Sequence, residues 1–186
     1  MNSKLNKPKR RFLLVSGSSY SLVNFRGPLV QSLISAGLEV HAASPGLHDD
    51  PRTCRQLEAW GVFVHDIPMQ RTGLNPWYDF LTLKALYLLM RNIRPDVVLA
   101  YTIKPVVYGM LAAWLAKVPQ RYALITGLGY AFAGEARGKR ALVFHLVRRL
   151  YSAALNKVDK VFFQNPDDES LFRDLGILRD RVPSQV

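Results

Sequence analysis

The stretch RPDVVLAYTIKPVVYGMLAAWLAKVP, residues 94–119, decides the fold. Asp96–Tyr101 is a short apolar run of strand length, and Thr102–Lys104 interrupts it. Pro105 then opens a second apolar run reaching Lys117, long enough for a helix and carrying proline where a first turn tolerates it. An unbroken apolar strand, as opposed to an alternating one, belongs in a sheet covered on both faces. A strand feeding a helix of this length implies a crossover to a parallel neighbour.

The same alternation extends in both directions. Downstream come a strand at Arg121–Thr126, a helix over Gly138–Lys157, a strand at Asp159–Gln164 and a helix over Pro166–Leu175 that stops at Gly176. Upstream, Asn75-Pro76 caps and opens a long helix to about Arg94, preceded by a strand at Val62–Ile67 and a helix over Pro51–Trp60. Strands at Leu38–Ala43 and Arg11–Ser16 flank a helix over Pro28–Ala36, which ends at Gly37. The expectation is one α/β domain over residues 11–178, with a doubly wound, mostly parallel, Rossmann-like sheet of six or so strands. Residues 1–10 read as a basic disordered tail. Residues 179–186 read as a structureless tail or the start of a linker.

Composition narrows the class. With 49% hydrophobic residues the chain has ample core material, and its lone cysteine, Cys54, excludes an internal disulfide framework. The longest apolar stretch, Pro105–Ala116, falls short of the ~18–20 residues that span a bilayer. The net charge of +11 is localised: Lys4, Lys7, Lys9, Arg10 and Arg11 supply five positive charges, and Arg137, Lys139, Arg140, Arg148, Arg149 and Lys157 supply six. No acid lies within residues 1–11 or 137–157, so an anionic partner is expected: phosphate groups, an anionic membrane or nucleic acid.

In a doubly wound sheet, ligands bind beyond the carboxyl ends of the strands where strand order reverses. That rule selects the loops after the first, fourth and fifth strands. The first, Gly17–Arg26, has ten residues, includes Ser18 and Asn24, and runs into a helix start beside Arg26, a natural anion site. The second, with Thr102, places Lys104 where an ammonium is mildly unfavourable for the helix that follows but available to a phosphate. The third, Thr126–Gly134, holds Gly127 and Gly129, permitting close backbone approach. Each also has a plain structural reading: a surface loop, a solvated lysine, a flexible turn. No dinucleotide fingerprint or Walker loop is present. The four histidines have no metal-ligand spacing, and His41 and His65 read as core or sheet-edge residues. The helix over 138–157 carries Leu142, Val143, Leu146, Val147, Leu150 and Tyr151 on one face, expected mostly to pack on the sheet.

Four segments, VSGSSYSLVNFRGPLVQSLISAGLEVHAASP, RPDVVLAYTIKPVVYGMLAAWLAKVP, ITGLGYAF and KVFFQNPDDESLF, occur in an order that resembles the N-terminal domain of family-four retaining GT-B glycosyltransferases. The resemblance is to the branch serving bacterial polysaccharide assembly on undecaprenyl-diphosphate-linked sugars. It implies sugar transfer from a nucleotide sugar to a lipid-linked or polysaccharide acceptor, with retention and with no metal or cofactor. Hexosyl or N-acetylhexosaminyl transfer in capsule or lipopolysaccharide synthesis is the implied setting. Substrate-binding residues would be Gly17, Ser18, Asn24, Arg26, Thr102, Lys104, Gly127 and Gly129. The chain would act in the cytoplasm, peripherally on the inner face of the cell membrane, through Arg137, Lys139, Arg140, Arg148 and Arg149. The C-terminal domain that holds the donor in such enzymes, with its E-x7-E motif, is not found here, so this chain alone is expected to be inactive. The alternative is a non-catalytic phosphosugar- or nucleotide-binding domain, or a truncated interaction domain. Specific nucleic-acid binding is disfavoured, since no helix-turn-helix, zinc or RNP motif is present.

Overall fold

The computed structural model describes residues 9–73, 75–127 and 139–186. Seven parallel strands form one sheet in the order β3-β2-β1-β4-β5-β6-β7. They are β1 (Arg11–Val15), β2 (Glu39–Ser44), β3 (Phe63–Asp66), β4 (Val97–Tyr101), β5 (Gln120–Ile125), β6 (Lys160–Phe163) and β7 (Ser184–Gln185). The chain builds outward from β1 to β3, then returns to lay β4 on the free edge of β1 and continues the other way. The expected doubly wound α/β architecture is therefore present, with strand order reversing between β1 and β4.

The helices are α1 (Ser19–Asn24), α2 (Gly27–Ser35), α3 (Pro51–Ala59), α4 (Pro76–Ile93), α5 (Met110–Leu115), α6 (Lys139–Leu155) and α7 (Pro166–Asp174), with a π-helical turn, Pro105–Gly109, leading into α5. Starts follow the expected chemistry. Asp50, Asn75 and Asn165 accept hydrogen bonds from first-turn amides, each followed by proline. Two clusters fill the faces of the sheet. Leu22, Val30 and Leu57 of α1–α3 pack on one face with Leu14, Ala42 and Leu99. Leu86, Met110, Tyr151 and Phe172 of α4–α7 pack on the other with Leu13, Val15 and Ala100.

The structure differs from the sequence reading at four places. The ten-residue loop after β1 contains α1, because Leu22 is fully buried and draws a helical turn onto the core. The helix from Pro105 begins as a π-turn. The tail after Gly176 is not structureless: Val182 is buried, Val161 N–H donates to Pro183 O at 2.9 Å, and β7 closes the sheet edge. The apolar face of α6 divides as well. Val147, Tyr151, Ala154 and Leu155 are buried, while Leu142, Val143 and Leu146 in its first turns point outward.

Candidate functional site

A cavity of about 880 Å³ opens at the carboxyl ends of β1, β4 and β5, at the reversal of strand order. Gly17 and Ser18 line it from the end of β1, Thr102 and Lys104 from the end of β4, Thr126 and Gly127 from the end of β5, and Arg26 from the start of α2. Six of the expected substrate-binding residues and Arg26's neighbours on α1 therefore meet in one place.

Two close approaches shape the floor. A Cβ on Gly17 would stand 2.9 Å from Thr102 Oγ1 and 3.5 Å from Pro105 Cγ, so glycine is required for this approach. Thr102 itself holds φ of 69°, a left-handed conformation that is costly for a β-branched residue and that directs the chain from β4 into the π-turn. Ser16, Ser18, Ser21 and Tyr101 tie α1 down: Ser18 N–H donates to Ser16 Oγ at 3.1 Å, and Ser21 Oγ lies 2.8 Å from Ser16 Oγ and 2.7 Å from Tyr101 Oη. Burial pushes the Tyr101 hydroxyl's pKa up, opposed by hydrogen bonds to Ser16 and Ser21 and by the Arg26 charge. Tyr101 is thus a neutral strut.

Arg26 lies with its guanidinium 4.9 Å from the Tyr101 ring centroid, and its Nε is buried without a hydrogen-bond partner. A guanidinium over an aromatic ring, with an unsatisfied donor in a residue that lines the cavity, is primed for an oxyanion. Arg71 and Thr72, from the segment after β3, line the same cavity, as does Gln164 after β6. The sequence reading omitted them, although a parallel sheet places the ends of β3 and β6 at this same edge. Among the described residues no acid lines the cavity. Tyr20 and Phe25, packed edge-to-face at 6.0 Å and each more than half exposed, form part of its rim.

Lys104 is not the free point charge that was expected. Its Nζ donates to Asp79 Oδ1 at 2.7 Å, and both side chains are only 11% exposed. α4 brings Asp79 there, and Tyr108 sits alongside with its pKa pushed up, by burial first and then by the Asp79 carboxylate. Lys104 thus lines the cavity as half of an ion pair, and among the described lining residues the positive charge without an acidic partner rests on Arg26 and Arg71.

Asn24 does not join the site. It is exposed and its Nδ2 donates to Tyr20 O at 2.9 Å, capping α1 from outside. Gly129, Arg137 and the side chains of Lys139 and Arg140 lie outside the described residues. Arg149 is exposed, whereas Arg148 is partly buried with a guanidinium nitrogen close to Gly176. As expected of core or sheet-edge residues, His65 lies on edge strand β3 and His41 is buried on β2, with His41 Nδ1 facing His65 Nε2 at 3.0 Å and His41 Nε2 facing Glu39 Oε1 at 3.1 Å. Among the described residues no group of metal-binding side chains is present.

Residues 25–183 match a glycosyl transferase 4-like domain. The chain is 29% identical over 175 residues to N,N'-diacetylbacillosaminyl-diphospho-undecaprenol alpha-1,3-N-acetylgalactosaminyltransferase of Campylobacter jejuni, covering 92% of this chain and 44% of that protein. It therefore spans less than half the length of this relative. Among solved structures, a glycosyltransferase from Rickettsia africae aligns with TM-score 0.64 at 15% identity, covering 95% of this chain and 42% of that one. UDP-GlcNAc 2-epimerase from Neisseria meningitidis, bound to UDP-GlcNAc, aligns with TM-score 0.63 at 16% identity, covering 94% and 46%. These two likenesses speak for the fold, and transferase and epimerase share it.

Proposed function

We propose, from the premise that this chain belongs to the glycosyl transferase 4-like domain family, that it forms the acceptor side of an enzyme moving a sugar from a nucleotide sugar to a lipid-linked diphosphate acceptor. The observation that carries this is the cavity at the strand-order reversal, lined by no acid among the described residues, where Arg26 has a buried, unpaired Nε. Arg26 and Arg71 supply two positive charges after Lys104 and Asp79 offset one another, which matches a diphosphate. The aromatic rim of Tyr20 and Phe25 suits the first apolar units of a lipid carrier or the face of a sugar ring.

In this reading the residues do no covalent chemistry. Arg26 and Arg71 hold the acceptor diphosphate by charge-assisted hydrogen bonds, and the Gly17 and Gly127 backbone lets it approach closely. The acceptor hydroxyl is thereby fixed, while the donor is held chiefly by a further domain. Transfer with retention and no metal or cofactor is part of the proposal, as is inactivity of this chain unaided. A lipid-linked acceptor sets the work at the cytoplasmic surface of the membrane, in capsule, lipopolysaccharide or related glycan assembly. The relative's printed name, with its undecaprenol-linked acceptor, supports this over a non-catalytic binding domain.

The test is calorimetric titration with a water-soluble, short-chain isoprenyl diphosphate sugar. The chain should bind it, and Arg26→Ala should weaken binding by about 10–100-fold, the loss of one charge-assisted contact. Equal affinity in the variant would remove Arg26 from the site, and tighter binding of UDP-GlcNAc than of the isoprenyl diphosphate would make this the donor side.

A further inference from the structure

We propose that the cavity takes its acceptor in one direction along the strand order, and that Gln164 selects for the sugar ring next to the diphosphate. The assignment rests on the acceptor reading above and adds to it a direction and a specificity-determining side chain.

The lining of the cavity is sorted by chemistry. Arg26 stands over the ring of Tyr101, the last residue of β4. Tyr101 belongs to the cluster on the α1–α3 face, whereas Met69, two residues before Arg71, is buried in the cluster of the other face with Val15 and Ala100. Arg26 and Arg71 therefore reach the cavity from opposite faces of the sheet, which suits a diphosphate held between two cations. Tyr20 and Phe25 form the apolar rim around α1, which follows β1. Beyond β4 the lining changes: Thr126 and Gly127 after β5 and Gln164 after β6 carry no charge. Apolar, cationic and neutral polar groups thus follow one another in the order of an isoprenyl diphosphate sugar: lipid, diphosphate, ring.

The spacing agrees with that order. Neighbouring strands lie about 4.8 Å apart, so the end of β6 is roughly 10 Å from the end of β4, the reach of one sugar ring from its diphosphate. Gly127 lies between the two ends, with φ of 111°, and a Cβ added there would meet no described atom within 4 Å. The space between Arg26 and Gln164 is therefore open to a ring on that side.

Gln164 has the chemistry for the task. Among the described lining residues it alone carries a side-chain amide, and that amide is exposed with no hydrogen-bond partner among the described residues. Its backbone is fixed on both sides. Phe163 is buried and pairs with Ile125, and Asn165 Oδ1 accepts from Asp168 N–H at 2.8 Å at the start of α7. A carboxamide offers two donors and an acceptor, so it can accept from one sugar hydroxyl while donating to the next, or pair with an acetamido group. A lysine or a glutamate at this place would pull or repel the diphosphate. An amide leaves the diphosphate to the arginines and discriminates on the ring alone.

The experiment is calorimetric titration with a water-soluble, short-chain isoprenyl diphosphate, with and without one N-acetylhexosamine on the diphosphate. The wild-type chain should bind the sugar-bearing form about tenfold more tightly, the yield of one or two neutral hydrogen bonds. Gln164→Ala should abolish that preference and leave affinity for the sugar-free form unchanged, with circular dichroism establishing that the variant is folded. Arg26→Ala should weaken both forms alike. A preference kept in Gln164→Ala, or an equal loss for both forms, overturns the role of Gln164. A preference lost in Thr72→Val instead puts the ring on the side of the segment after β3 and overturns the direction. A wild-type chain that binds both forms equally overturns the sugar assignment and leaves the diphosphate site standing. A wild-type chain that binds neither form overturns the acceptor reading itself.

Discussion

Replacing Lys104 by methionine should destabilise the domain more than replacing Asp79 by asparagine, and the two losses should not add. The pair is short, 2.7 Å, and both side chains are 11% exposed. Removing one member of such a pair leaves a desolvated charge, at a cost of about 3–5 kcal/mol when burial is deep. Lys104 lines an open cavity, so after Asp79→Asn its ammonium can turn to water, and the expected cost is about 1–2 kcal/mol. Asp79 lies behind the cavity wall against Tyr108, so Lys104→Met strands it at about 3 kcal/mol. The double variant leaves no stranded charge and should cost no more than about 2 kcal/mol, giving a coupling of roughly 2–3 kcal/mol. Urea unfolding at neutral pH measures all four corners of the cycle. In Lys104→Met, protonating the stranded carboxylate relieves it, so the folded state binds a proton the unfolded state does not, and the deficit should shrink as pH falls from 7 to 5. Additive losses, or a pH-independent deficit, would refute the argument that the ammonium is spent on Asp79.

Gly17→Ala should cost about 1–3 kcal/mol through its clash with Thr102 Oγ1, and adding Thr102→Gly, which removes that atom and relaxes a φ of 69°, should restore most of it in thermal melts. His65 has its pKa lowered to about 4, by burial first and then by His41, from an ordinary 6.5. The unfolded chain therefore takes up the proton first: stability is full above about pH 6.5 and falls as pH drops towards 4, by about 1–3 kcal/mol after allowance for partial exposure. His65→Gln should flatten that slope in urea midpoints taken across the range. Asn24→Ala, on the outside of α1, should leave both stability and isoprenyl diphosphate affinity unchanged in the same calorimetric titration that Arg26→Ala disrupts.

The fold was legible because its punctuation is strong. Proline at the first turn of α2, α3, α4, the π-turn and α7, and glycine after α2, α3 and α7, bound segments whose apolar runs differ in length between strand and helix. α1 was not legible: six residues of mixed polarity become helical only because the core accepts Leu22. β7 is two residues long and exists through its pairing with β6, not through any pattern of its own. Part of the site was legible for a topological reason, since the loops after β1 and β4 must meet where strand order reverses. The pairing of Lys104 with Asp79 was not, because it depends on how α4 is rotated against the π-turn, which no local spacing encodes. Arg71 was recoverable in principle from the rule that every strand of a parallel sheet ends at the same edge. The rotation of α6 likewise decided which of its leucines face water.

The seam between β1 and β4 also governs time. β1 pairs early in sequence with β2, Arg11 opposite Glu39, but its other edge waits for Val97 and its neighbours. Until β4 arrives, one edge of β1 is open, and the contact between Gly17 and Thr102 that floors the cavity does not exist. Pairing across so long an intervening chain is the slow kind of step, because the loop must close before any contact rewards it. The pocket floor therefore requires β4 to be seated on β1. A ligand seated on the floor that Gly17 and Thr102 form bridges that seam, and it should slow unfolding more than it hastens folding.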